Sequence, residues 1–238
     1  MIASITGLGW VTAGGMGRGG AGNDFAMATG ELPRVRRDRV FDTPYPHFGR
    51  MDDLSRLGLA AIGFALKDAG LYEWVHKRDI GIVAGSVYGC LKTDMAYFET
   101  VMPGGGRMAS PALFSYTLPN CFLGEAAVCF GLTGTGYVIN ETSPSGMSPL
   151  YEGLAGMAGG EMERMICGVC DLGCPPEIPL AGIGPMGAVF FVLEKIPESN
   201  RSPYGDLHLD RRGIVLFNGK AIETLVELAQ ACLVPSPK

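Results

Sequence analysis

Apolar positions along the chain alternate between runs with two-residue or unbroken spacing and runs with helical spacing. "IASITGLGWVT" near the start is apolar and β-branched and ends among glycines, which predicts a buried strand. "GGMGRGGAG" then reads as a loop. In "DDLSRLGLAAIGFALKDAG", residues Leu57, Ala60, Ala61, Phe64, Ala65 and Asp68 follow helical spacing, and Gly70 falls where a helix-ending glycine belongs. Leu59, Ile62 and Leu66 make this helix apolar on nearly every side, so it is expected to be well buried. "DIGIVAGS" predicts a short buried strand. Ser110 and Pro111 open a helical piece as N-cap and first residue, and "CFLGEAAVCFG" continues it to Gly131. "GYVINET", "ERMICGVCDL" and "GAVFFVLEK" predict strands, with a small-residue helix, "SGMSPLYEGLAGMAGGEM", between the first two. A polar, Pro-containing stretch follows Glu194. "AIETLVELAQACL" closes the pattern as an amphipathic helix, with Ile222, Leu225, Val226, Ala229 and Leu233 on one face.

Strands alternating with helices predict an α/β fold with some parallel strands, and the long apolar strands predict a sheet covered on both faces. The sharpest corner is "VINETSPSGMSP", Val138 to Pro149, where a strand meets a helix. Ser143 with Pro144 is one helix start, as cap and first residue. Ser148 with Pro149 is a second. A helix begun at 144 would carry Pro149 inside it and lose a backbone hydrogen bond, so the helix starts late or is kinked.

Composition narrows the class. The 238 residues include 36 glycines and seven cysteines, and the net charge is −5. Such a chain is long enough for a large core and suggests one domain or two small ones. An acidic balance argues against a nucleic-acid partner. The one basic run, "RVRRDR", holds Arg34, Arg36, Arg37 and Arg39. No apolar run approaches a membrane span, and no charged segment precedes an apolar one at the N-terminus. The expectation is a cytoplasmic protein with reduced thiols and no cofactor or metal.

Three motifs invite chemistry and carry it poorly. Gly15, Gly17 and Gly20 spell G-x-G-x-x-G after a strand, but Pro33 and the arginines stand where a dinucleotide site needs its acidic residue. Cys167, Cys170 and Cys174 resemble part of an iron–sulfur run. The first two lie three apart in a strand, which points them to opposite faces, and there is no local fourth ligand. "TSPSG" approaches a hydrolase elbow, for which His208 and Asp210 would have to supply the remaining groups.

The ordered set "ITGLGWVTAGG", "MDDLSRLGLAAIGFALKDAGL", "IGIVAGSVYG", "SPALFSYTLPNCFLGEAAVCFGLTGTGY" and "GAVFFVLEK" resembles the N-terminal half of a β-ketoacyl synthase, a thiolase-fold condensing enzyme. The resemblance runs from Ile2 to about Lys195. It implies a thiolase-like half with a mixed five-stranded sheet and helices on both faces, over residues 1–195. Residues 196–238 would form a tail with an amphipathic helix packed on the same domain. The family's nucleophile motif, T-A-C-x-S-G, falls on Glu141 to Gly146. Ser143 takes the cysteine position, Ser145 and Gly146 keep the Ser-Gly end at the binding corner, and Glu141 replaces the leading threonine. A serine hydroxyl needs a positioned base where a thiol does not. The family's second-half motifs, H-G-T-G-T and G-F-G-G, are missing from this sequence, and His47, His76 and His208 stand in no matching context.

The resemblance therefore implies an accessory, ketosynthase-like subunit of fatty-acid or polyketide-type biosynthesis, unable to condense alone. Two alternatives stand beside it: an active synthase or acyltransferase using Ser143, and a non-enzymatic interaction protein on the same fold. The implied partners are an acyl carrier protein, met by Arg34, Arg36, Arg37 and Arg39, and either a second copy or a full-length ketosynthase.

Overall fold

The computed structural model describes residues 2–22, 24–178, 186–197 and 202–234. Nine strands form one sheet: β1 (Ile2–Thr12), β2 (Gly15–Arg18), β3 (Gly81–Ser86), β4 (Gly136–Asn140), β5 (Arg164–Asp171), β6 (Gly187–Glu194), β7 (Gly205–Leu209), β8 (Val215–Phe217) and β9 (Lys220–Ala221). Their order is β4-β3-β5-β6-β1-β7-β8-β9, with β2 turned back on β1. Strands β4, β3 and β5 are parallel, and β6 runs antiparallel to both β5 and β1. This is the mixed five-stranded sheet expected from the sequence.

The other four strands lie in stretches whose sequence predicts loop or tail. The glycine segment after β1 pairs Gly15–Arg18 with Gly9–Thr12 as a hairpin. The polar stretch after Glu194 supplies β7, paired to Ile2–Ile5, and then β8 and β9. These strands escape notice because they are short and half-exposed. In β7 only Leu207 is buried, while Asp206 and His208 face outward. Residues 198–201 and 235–238 of the tail lie outside the described residues.

Seven helices are described: α1 (Arg37–Val40), α2 (Asp53–Ala69), α3 (Leu91–Val101), α4 (Pro111–Phe114), α5 (Cys121–Phe130), α6 (Ser148–Gly159) and α7 (Leu225–Leu233). The Asp52 carboxylate caps α2 by accepting from Ser55 N–H at 2.8 Å, and Gly70 ends the helix at φ 72°. This helix lies directly on β1. A Cβ at Gly7 or Gly9 would collide with the α2 backbone at Ala61 and Ala65, so glycine permits the contact. Helices α2 and α5 fill one core with Ile82, Ile166, Phe190 and Val192. On the opposite face α6 and α7 pack with Val83, Cys167, Val189 and Phe191. Two neighbouring positions of the same strand, Ile166 and Cys167, thus serve different cores.

The tail helix begins at Leu225, three residues later than its apolar pattern suggests. Its buried face is Leu225, Leu228, Ala229 and Cys232, and Val226 and Leu233 are only half-buried. Helix α3 was not evident in the sequence. Its only buried residue is Thr93, so it lacks the core-facing period that marks a helix.

Candidate functional site

The site is the corner between β4 and α6. Among the described residues strand β4 is an edge strand, hydrogen-bonded only to β3, and Glu141 N–H continues that ladder by donating to Ser86 O at 3.0 Å. Glu141 therefore leaves the sheet in a fixed direction, and its side chain turns inward to 2 % exposure. Gly85 makes room for it. A Cβ there would meet Pro149 Cγ at 2.9 Å and Glu141 Cβ at 3.1 Å.

Helix α6 begins at Ser148, with Pro149 in its first turn, so the later of the two starts is the real one. Ser143 consequently caps no helix, which corrects its reading as a cap. The carboxylate of Glu141 does that work from seven residues upstream. One oxygen, Oε2, accepts from Ser148 N–H at 3.1 Å. The other, Oε1, accepts from Ser143 N–H at 2.9 Å and from the Ser148 hydroxyl at 3.0 Å. A buried carboxylate is costly unless its lone pairs are used, and here a helix N-terminus also favours its charge. Glu141 thus ties the corner to the helix it precedes.

Ser143 is half-buried. Its Oγ lies 2.8 Å from Ser145 Oγ and accepts from Ser145 N–H at 3.2 Å. Met147 N–H donates to Ser145 Oγ at 3.4 Å. Gly146 sits at φ 67°, in the left-handed region, and a Cβ there would also press on Val169 and Leu225. The start of the tail helix closes over this turn, with Leu225 N–H donating to Ser145 O at 2.9 Å. Ser143, Ser145 and Gly146 thus share one turn.

The groups that would activate Ser143 are elsewhere. His208 is exposed on β7, five strands from β4 across the sheet, and Asp210 holds the β7–β8 turn by accepting from Arg212 and Ile214 N–H. His47 lies beside Glu125 at 3.9 Å, and His76 is in an exposed loop. No hydrolase triad is assembled among the described residues. The Ser143 N–H, a natural donor to an oxyanion formed at its own side chain, is already engaged by a carboxylate that would repel such an anion.

The cysteine run behaves as its spacing indicated. Cys167 and Cys170 face opposite cores, and burial raises both thiols well above their ordinary value. Among the described residues no group of three or more potential metal ligands gathers. The arginines lie at the surface, near α1 and away from the corner: Arg36 pairs with Asp38 at 2.7 Å, and Arg37 and Arg39 belong to the helix itself.

Two carboxylates were missed by the sequence reading. Asp171, at the end of β5, accepts from Ser86 Oγ and Tyr88 N–H, each at 3.0 Å, from Val87 N–H, and from Gly173 N–H at 3.1 Å. Asp68 accepts from Leu8 N–H at 2.9 Å, Gly20 N–H at 2.7 Å and the Tyr204 hydroxyl at 2.6 Å. Asp68 alone left a trace: it is a charge on the apolar face of an otherwise apolar helix.

The family model described as β-ketoacyl synthase, N-terminal domain, matches residues 35–189. The chain belongs to that family. As such a domain it is 27% identical over 183 residues to 3-oxoacyl-[acyl-carrier-protein] synthase 2 of Vibrio cholerae, an alignment covering 76% of this chain and 43% of the relative. The chain therefore spans less than half the length of that relative. Among solved structures it is similar to the ishigamide ketosynthase/chain length factor, with TM-score 0.68, 18% identity, and 87% and 62% of the two chains covered. It is also similar to a chain of AntDE:AntF, described as a type II polyketide synthase acyl-carrier protein in complex with its ketosynthase, with TM-score 0.65, 17% identity, and 87% and 67% covered. At these identities the two structures show the fold: this is a ketosynthase-like, thiolase-type α/β unit. Among the described residues no helix is long and apolar enough to cross a membrane.

Proposed function

We propose that this chain is an accessory, ketosynthase-like subunit of fatty-acid or polyketide-type biosynthesis that does not condense acyl chains on its own. The observation that carries the reading is the buried Glu141 carboxylate holding the Ser143 and Ser148 N–H groups at the nucleophile corner. A condensing enzyme needs that corner open to a developing anion, and here a fixed anion fills it. The serine at the cysteine position supports the same reading, as does the distance of His208 from the corner.

Its partners on this reading are a full-length ketosynthase, or a second copy of the chain, and an acyl carrier protein. The pairing of a ketosynthase with a chain length factor in one structural neighbour, and with a carrier protein in another, motivates both. Strand β4 offers an edge, and Phe98, Met102, Phe114 and Leu118 on and beside α3 and α4 are each about 60 % exposed, apolar surface that a partner would cover. The arginines Arg34, Arg36, Arg37 and Arg39 suit an acidic carrier. The test is reconstitution: the chain is mixed with full-length ketosynthases and carrier proteins of its own organism, and complexes are read by native mass spectrometry and product formation. A complex with a ketosynthase, and product only when both chains are present, is expected. Condensation by this chain with a carrier alone would overturn the reading.

A further inference from the structure

We propose that two adjoining clefts beside α2 form one binding site for an anionic amphiphile: an alkyl chain carrying a carboxylate or phosphate head. The first cleft, about 700 Å³, is lined by Arg34, Arg36, Arg37 and Arg56, with Asp38 its one carboxylate. The second, about 860 Å³, has Leu32, Leu57, Leu172 and Met186 among its walls. Arg34, Val35 and Arg56 line both, so the cationic cleft opens onto the apolar one along a shared wall. Each volume falls within the range typical of small-molecule sites.

The four guanidinium groups are not equally available. Arg36 is held by Asp38 through two hydrogen bonds, at 3.1 and 2.7 Å. Arg56 donates to Phe48 O and Gly49 O and lies 3.6 Å from Asp53. Among the described residues Arg34 and Arg37 have no ion pair or side-chain hydrogen bond. In the second cleft Lys92 is neutralised by Asp53 at 3.0 Å, which leaves Glu31 the one lining carboxylate without a cation partner among the described residues. An available pair of cations in a chain of net charge −5, continuous with a cleft walled in part by apolar side chains, matches a ligand that is anionic at one end and apolar at the other. The head would sit between Arg34 and Arg37, and the chain would run past Val35 toward Leu57 and Leu172.

This site uses none of Ser143 to Gly146. It shares its arginines with the proposed carrier surface but does not rest on that reading, because its test contains no carrier protein. Cys174 lines the second cleft, half-buried, and serves as a built-in reporter.

Dodecanoate and dodecyl phosphate are titrated by calorimetry against the full chain, below their micelle thresholds. Inorganic phosphate serves as a head-only control and dodecyl maltoside as a chain-only control. In parallel, maleimide labelling of Cys174 is followed by peptide mass spectrometry. At least one dodecyl anion is expected to bind tenfold or more tightly than either control and to slow Cys174 labelling at least fivefold. The stronger of the two identifies the head. Arg34→Glu is expected to weaken binding about tenfold with an unchanged thermal melt, and Lys220→Glu, a charge reversal on β9, to leave it unchanged. No saturable binding, binding that leaves Cys174 labelling unaltered, phosphate binding as tightly as dodecyl phosphate, or equal loss in both variants overturns the proposal.

Discussion

Two strand ends of this sheet are tied by buried carboxylates, and they differ in what they tie. Asp171 closes the end of central strand β5, gathering Ser86, Val87, Tyr88 and Gly173 so that the loops after β3 and β5 move as one. Glu141 closes the end of edge strand β4, gathering Ser143 and Ser148 so that the corner and α6 move as one. The first is covered by sheet on both sides. The second stands at the corner onto which the sequence resemblance lays the family's nucleophile motif. The same device, a carboxylate saturated by N–H and O–H donors, is structural in one place. In the other, on the function proposed above, it would also close the corner to acyl chemistry.

The comparison breaks most visibly at Asp171. Asp171→Ala leaves four donors without their acceptor and is expected to cost about 3–5 kcal/mol, read as a lower urea midpoint. Glu141→Gln keeps the shape but turns an amide group toward N–H donors, so a smaller loss of about 1–3 kcal/mol is expected in the same experiment. Equal losses at the two sites would show that edge and centre are tied alike. Between these in character is the pH response of the buried thiols. Burial raises Cys167 and Cys170 above their unfolded values, so in the folded state both remain protonated while the unfolded chain ionises. Their contribution is fully present below about pH 8.5 and lost as pH rises, by up to about 1.4 kcal/mol per pH unit for each thiol. Replacing both by alanine should make the alkaline limb of the stability profile shallower, with Cys232, whose thiol burial also raises, still contributing. Ser143→Ala is the mildest change. It removes one half-buried hydroxyl pair and is expected to shift stability by less than about 1 kcal/mol, consistent with a corner held by Glu141 and not by its serine.

Much of the architecture was legible because the core segments follow regular rules. The α2 face and its ending at Gly70 follow from spacing and end chemistry, and the opposite directions of Cys167 and Cys170 follow from strand alternation. What was not legible depended on partners far away in sequence. Strands β7 to β9 are too short and too exposed to show a period, and α3 leaves its apolar side chains half-buried or, at Phe98, exposed. At the corner, the role of Glu141 did not appear from residue types. A cap supplied from seven residues upstream has no local signature, unlike Ser110, which caps α4 by accepting from Leu113 N–H three residues on. Ser143 looked like a cap for the same reason: a serine before a proline satisfies the local rule whether or not the helix begins there.

The central claim is that Glu141 closes the corner to acyl chemistry. Intact-protein mass spectrometry tests it most directly, after incubation with an acyl-carrier or acyl-coenzyme A thioester, on the wild-type chain and on the Glu141→Thr, Ser143→Cys double variant. The wild-type chain is predicted to remain unmodified, while the double variant, with the carboxylate gone and a thiol in place, gains one acyl group that is released by hydroxylamine. An acyl adduct on wild-type Ser143, lost in Ser143→Ala, would contradict the account.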